Sequence, residues 1–149
     1  GNSIKNTFKT FDFSQKKENG LLGCSISNNG YEKSFGCTHK REIYLDKENN
    51  HLKGTDHIFK AKDGYPIRYA FRFHINPELN VVKTISGNSA LIQISKNKSL
   101  IFTINNEDLE IEKSIFLAKK KIIDSACITI SGNLVSKNKI FSWEIRKNI

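Results

Sequence analysis

Hydrophobic residues return at every second position along most of this chain, and that spacing dictates sheet. Side chains alternate between the two faces of a strand, so a period of two with one apolar face marks a half-buried strand. Residues 34–46, SFGCTHKREIYLD, put Cys37, His39, Arg41, Ile43 and Leu45 on one face and Thr38, Lys40, Glu42 and Tyr44 on the other. Residues 71–77, FRFHINP, set Phe71, Phe73 and Ile75 against Arg72, His74 and Asn76, and Pro77 ends the run. That polar row is either the lining of a site or the solvated side of a sheet.

The same period predicts an opening strand around Phe8–Phe13, then LLGCSIS after a turn at QKKENG. HLKGTDHIFKA follows the turn KENN, and YPIRYAFRFHINP follows Asp63-Gly64. Further strands read LNVVKTIS, ALIQIS, SLIFTIN, LEIEKSIFL, IIDSACITIS and KIFSWEIRK, separated by Gly, Asn, Asp and Lys breaks that include Ser131-Gly132-Asn133. Such residues tolerate turn dihedrals. About eleven short strands spaced every 10–13 residues or so predict an antiparallel sandwich or barrel. EKSIFLAKKKIID is the nearest approach to a helix, and no helical period lasts beyond one or two turns. The expectation is one all-β domain spanning residues 1–149, with no linker and no internal repeat.

A chain of 149 residues can bury a real core, and 38% hydrophobic residues with ten Phe argue against disorder. No apolar run approaches the ~18 residues of a membrane helix, so no membrane partner is expected. The chain begins GNSIKNTF and contains no Met, and reads as a piece of a longer protein that carries any targeting signal elsewhere. The net charge of +9 suits a polyanion such as nucleic acid or an acidic polysaccharide. Its lysines are scattered, as an AT-rich genome produces, and the densest run is AKKKI at 118–122. No motif with phosphate-contacting and base-stacking spacing appears, so nucleic acid is not an expected partner.

Three cysteines, Cys24, Cys37 and Cys127, without a CxxC spacing argue against a disulfide framework or a zinc knuckle. Cys37 and Cys127 sit in strand-like runs and read as small buried thiols. If neighbouring strands bring His39, Asp56 and His74 together, they form either a hydrogen-bonded network or a proton-relay or metal group. His51 and His57 read as surface residues, and Trp143 reads as core. Arg41, Arg68, Arg72 and Arg146 stand out in a lysine-rich chain, because guanidinium pairs with carboxylate or sulfate bidentately. They either contact substrate or pair with Glu42, Asp56 or Glu144. Tyr31, Tyr65 and Tyr69 either stack on sugar rings or pack within the sheet.

Taken in order, Asn28-Asn29-Gly30-Tyr31, His39-Lys40-Arg41, Gly54-Thr55-Asp56, Arg72-Phe73-His74-Ile75-Asn76-Pro77, Ser114-Ile115-Phe116-Leu117 and Trp143 resemble the C-terminal β region of the bacterial heparinase II/III-like family. The resemblance covers nearly the whole chain. It implies a supersandwich-like antiparallel β-sandwich preceded, in the longer protein, by a helical toroid that is absent here. It implies a parent enzyme that cleaves acidic polysaccharide by β-elimination, in which a base removes the proton beside a carboxylate and an acid protonates the leaving oxygen. Positive charge near that carboxylate stabilises the enolate.

The family's catalytic Tyr and its Asn or His partner lie on the helical domain, so no catalytic residue is assigned here. The substrate or cleft residues implied are Tyr31, His39, Arg41, Asp56, Arg72 and His74. No metal or other cofactor is assigned to this chain. The family's metal ligands lie upstream, apart from a His in a His-Asn-Thr run whose counterpart here is Lys5-Asn6-Thr7. A lysine ammonium does not bind zinc, so a divalent metal in the longer protein would lack that ligand. Asn28 likewise replaces a titratable His. The implied partners are the helical domain of the same protein and an acidic glycan. A homodimer is expected if the face meant for the helical domain is left bare. The resemblance favours the bacterial periplasm over the cytoplasm. The competing expectation is a carbohydrate- or polyanion-binding or purely structural module.

Overall fold

The computed structural model describes residues 8–18, 20–61, 65–118 and 121–148. Lys5-Asn6-Thr7, the Asp63-Gly64 turn and part of AKKKI lie outside them. The described residues form eleven strands in two antiparallel sheets, an all-β sandwich as the alternation predicts. They fall into two compact units: residues 1–67 with 134–142, and residues 68–133 with 143–149.

In the first unit β1 (Thr10–Glu18), β2 (Leu21–Asn28), β3 (Cys37–Asp46) and β4 (His51–Lys60) run as a meander, and β4 neighbours β11 (Asn138–Asn148). β1 and β2 pair with a register shift between Phe11 and Ser14, where Asp12 takes φ 53°. Asp is among the few side chains that tolerate that region, so the bulge sits where the chain accepts it. β2, β3 and β4 pair without interruption, from Leu21 opposite Asp46 to Asn28 opposite His39, and from Cys37 opposite Lys60 to Asp46 opposite His51. The β3–β4 turn is tied by Asp46, whose carboxylate accepts from the Asn49 N–H at 3.1 Å and from Asn49 Nδ2 at 2.8 Å. Those bonds to Asn49 hold the Asp46 carboxyl below its usual range.

In the second unit β6 (Asn80–Lys83), β7 (Ser89–Ser95) and β8 (Lys98–Ile104) form a sheet with the last part of β11, in the order β11-β8-β7-β6. β5 (Ile67–His74), β10 (Lys121–Leu134) and β9 (Glu110–Ala118) form the other sheet, in the order β5-β10-β9. An aromatic cluster joins the layers: Phe73 meets Phe102 at 4.9 Å between ring centroids and Trp143 edge-on at 5.1 Å. Ala90, Ile104, Leu109, Ile128 and Ile130 of the same unit are buried as well, and Trp143 is core as expected.

Three boundaries differ from the expectation. The strand expected from residue 34 begins at Cys37, because Glu32–Phe35 makes one helical turn (α1), closed by Gly36 at φ 65°. Gly36 costs little there, having no Cβ. QKKENG is not all turn: β1 extends to Glu18, held by its pairing to β2. Ser131-Gly132-Asn133 is not a break but strand within β10. A Cβ on Gly132 would lie 2.6 Å from the Tyr69 hydroxyl, so this glycine permits a close approach rather than a turn. Within EKSIFLAKKKIID the strands expected from LEIEKSIFL and IIDSACITIS form, and β9 and β10 pair from Lys121 opposite Ala118 to Thr129 opposite Glu110. The β-branched isoleucines suit the pleated surface, and pairing overrides a weak helical pattern.

Candidate functional site

Two-residue alternation and the β2–β3–β4 register bring Asn28, His39, Arg41 and Asp56 to one face of the meander, because Asn28 lies opposite His39 and Arg41 opposite Asp56. Asp56 is almost fully buried, its side chain only 1% exposed. Arg41 Nε donates to Oδ1 at 2.7 Å and Nη2 to Oδ2 at 3.0 Å, a two-pronged grip on one carboxylate. His39 Nε2 donates to the same Oδ1 at 2.7 Å. Asn28 Nδ2 lies 3.2 Å from His39 Nδ1, while its Oδ1 accepts from the Gly30 N–H at 3.2 Å.

The chain of partners selects a tautomer. Asn28 Oδ1 is held by Gly30, so the amide presents its N–H to His39 Nδ1. A neutral His39 then carries its proton on Nε2, pointed at Asp56. A buried carboxylate held by two bonds from a guanidinium and one from an imidazole is a satisfied network, and such networks fix side-chain direction. Arg41 and His39 nonetheless keep 30% and 17% of their side chains exposed. The site therefore holds a guanidinium and an imidazole in fixed orientations over a buried anion.

His74 belongs to the second unit, where Nδ1 meets Ser114 Oγ at 3.0 Å. Of the expected His39/Asp56/His74 set, the structure joins the first two directly, and His74 hydrogen-bonds to Ser114. Arg72 stands exposed on the same side of β5 and reaches Glu112 at 3.7 Å, a long surface pair of small energetic weight. The polar row of FRFHINP is thus the outer face of its sheet. Tyr31 caps α1, is 52% exposed, and accepts the Phe35 N–H at its carbonyl. Arg146 pairs with Glu144 at 3.8 Å. Among the described residues no three of His, Cys, Asp and Glu gather as a metal-holding group.

His57 is not the surface residue expected. Its ring lies against Phe59, 3.5 Å between centroids and tilted by 38°, and Nε2 is buried without a hydrogen-bond partner among the described residues. His51 is half-buried too. Burial, with Lys40 opposite, pushes the His57 imidazole below its usual value of 6.5, against a smaller upward pull from Glu42. Above that value both folded and unfolded chains hold the ring neutral. As pH falls through 6.5 the unfolded chain takes up its proton first, so stability drops towards acid. His57→Phe keeps the ring contact and removes the titration. Its urea midpoint is expected to fall less than that of the native sequence between neutral pH and about pH 5. Parallel curves for the two proteins would refute the assignment. Cys37 and Cys127 are buried, and Cys24 is exposed. Burial raises the Cys37 thiol, with Lys60 partly opposing.

Asn28 is the member of the network that residue type alone does not reveal, since only the strand register shows that it faces His39. Its signal in the sequence is positional: it stands where the resembling family has a histidine.

Such a fold and such a face define an all-antiparallel β-sandwich domain with an ion-paired histidine–aspartate–arginine face. Residues 3–144 match the family described as heparinase II/III-like, C-terminal, and the chain belongs to that family. FtsZ-localized protein C of Caulobacter vibrioides (strain NA1000 / CB15N) is 27% identical over 130 residues, which are 81% of this chain and 21% of that protein. Among solved structures, the heparan sulfate lyase HepC from Pedobacter heparinus superposes with a TM-score of 0.77 at 11% identity, over 93% of this chain and 22% of that one. A heparinase III superposes with a TM-score of 0.68 at 15% identity, over 94% of this chain and 21% of that one. The chain thus spans about a fifth of the length of these relatives.

Proposed function

We propose that this chain is the β-sandwich portion of a lyase that cleaves an acidic polysaccharide by β-elimination, and that its His39/Arg41 face forms one wall of the substrate cleft. The observation that carries the reading is the Arg41–Asp56–His39 geometry on strands of this family's sandwich. A guanidinium already oriented by a buried carboxylate needs little reorganisation to face a uronate, and a positioned cation stabilises the charge that develops beside the carboxylate. The names of the structural neighbours, heparan sulfate lyase and heparinase, support a glycan of that kind. On this reading the proton-transfer residues lie on a helical domain of the same protein, the parent resides in the periplasm, and Lys5 leaves any divalent-metal site of the parent short of one ligand.

The test uses the intact protein and uronate-containing polymers, with the absorbance of the unsaturated product as readout. The native sequence should form product. Arg41→Lys, which keeps the charge but not the two-pronged geometry, should lower kcat/KM about tenfold or more. The absence of product from every acidic glycan tried would overturn the proposal.

The net charge of +9 favours a second reading, a polyanion-binding module without catalysis. Retention on a heparin column to high salt would support it. Elution at very low salt would exclude it, since screening acts strongly on such contacts.

A further inference from the structure

The other face of the meander carries a trough that the lyase reading leaves unused. On that side β2 presents Leu21 and then three small residues, Gly23, Ser25 and Ser27. β1 sets Lys16, Ser14 and Phe11 opposite them, and β3 sets Tyr44, Glu42 and Lys40. The small residues of β2, flanked by Lys16 and Phe11 on β1 and by Tyr44, Glu42 and Lys40 on β3, leave a channel with a volume of about 610 Å³. That is within the range of pre-formed small-molecule sites, about 300–1,000 Å³. At one end the Tyr44 ring lies flat over Gly23, where a Cβ would sit 2.7 Å from the ring. The other end is bounded by Phe11 and Phe59, which are 39% and 43% exposed.

The floor carries two serine hydroxyls that are mostly buried yet open to the channel. Ser25 and Ser27 are only 8% and 5% exposed. Among the described residues neither hydroxyl makes a hydrogen bond, and neither oxygen is sealed from solvent. A serine hydroxyl is both donor and acceptor, so two along the bottom of an open channel can exchange water for the hydroxyls of a ligand. The charged groups of the lining, Lys16 and Lys40 against Asp12 and Glu42, sum to zero. Lys40 and Glu42 moreover pair with each other at 3.0 Å. The trough consequently has no net charge with which to attract a carboxylate or sulfate.

We propose that this trough binds a neutral sugar ring of a glycan chain. Ser25 and Ser27 exchange hydrogen bonds with its hydroxyls, and Phe11 and Phe59 receive its apolar C–H face. His39 also borders the trough, but its imidazole reaches Asp56 on the other face, beside Arg41, so the two sites share a strand and use opposite faces of it.

The experiment titrates the intact protein by calorimetry with neutral tetrasaccharides (chito-, cello- and malto-) and, separately, with a heparin tetrasaccharide. A neutral sugar is expected to bind with an affinity that barely changes between about 0.15 and 1 M salt, because no ion pair is screened. Ser27→Leu fills the channel and should abolish binding. A buried leucine can also disturb the sheet, so Ser25→Ala with Ser27→Ala provides the second variant: it keeps the space, removes both hydroxyls, and should weaken binding at least tenfold. Three outcomes would overturn the proposal: no neutral sugar binds, the double alanine variant binds as well as the native sequence, or only the anionic sugar binds and its affinity collapses with salt.

Discussion

Replacing Asp56 with alanine should cost about 3–5 kcal/mol of folding stability, the loss expected when one member of a buried ion pair is removed. The carboxylate is 1% exposed and receives Arg41 through two bonds and His39 through a third. Without it, a guanidinium and an imidazole keep their partly buried positions with their shared acceptor gone, and the penalty is the desolvation of donors that water cannot fully reach. Asp56→Asn should lose less, because its amide oxygen still accepts although the charge is gone. Replacing all three together, Asp56→Leu with Arg41→Met and His39→Phe, should recover much of the loss, since an apolar set leaves nothing unpaired. Urea unfolding of the three variants tests this. A loss below about 1 kcal/mol in Asp56→Ala would mean that the pair is no more than a surface bridge.

Phe102→Ala should cost a similar amount, about 3–5 kcal/mol, for an unrelated reason. Phe102 is fully buried and its ring lies 4.9 Å from Phe73 and 6.0 Å, nearly parallel, from Trp143. Truncation removes transfer energy and leaves a cavity among rigid rings that cannot collapse to fill it. Phe116→Ala is the control. The same chemical change at a side chain 45% exposed on β9 should lie within about 0.5–1 kcal/mol of the native sequence. Equal losses at the two positions would show that Phe102 is not the centre of the packing that joins the sheets.

Strand existence was legible because burial on one face leaves a period of two that survives in any single sequence. The polar rows of SFGCTHKREIYLD and FRFHINP were equally visible, but their fates were not. Arg41 and His39 converge on Asp56 because antiparallel pairing sets Arg41 directly opposite it. Arg72 and His74, with the same residue types and the same alternation, end on an exposed face beside Glu112 and Ser114. Cross-strand pairing depends on register, and a one-residue slip would exchange every side chain between faces, so no local pattern distinguishes the two rows. The misplaced boundaries have the same origin. Lys and Asn at residues 15–20 look like a turn and Ser-Gly-Asn at 131–133 like a break, yet ladder hydrogen bonds hold much of the first and all of the second as strand. For Ser25, Ser27 and His57 nothing local signals a role. The trough depends on which side chains of β1 and β3 fall beside the small residues of β2, and the contact of His57 with Phe59 depends on the fold of β4.

The sequence by itself therefore determined that this chain is an all-β sandwich, where most of its strands run, which thiols and which tryptophan are core, and, through an ordered set of short motifs, which family it belongs to. These follow from periodicity and from motif order, both of which are properties of the linear chain. Tertiary structure alone decided that Asn28, His39, Arg41 and Asp56 share one buried charge, and that two serines floor an open channel on the opposite face. Both are properties of strand register, which the chain settles only when its strands pair.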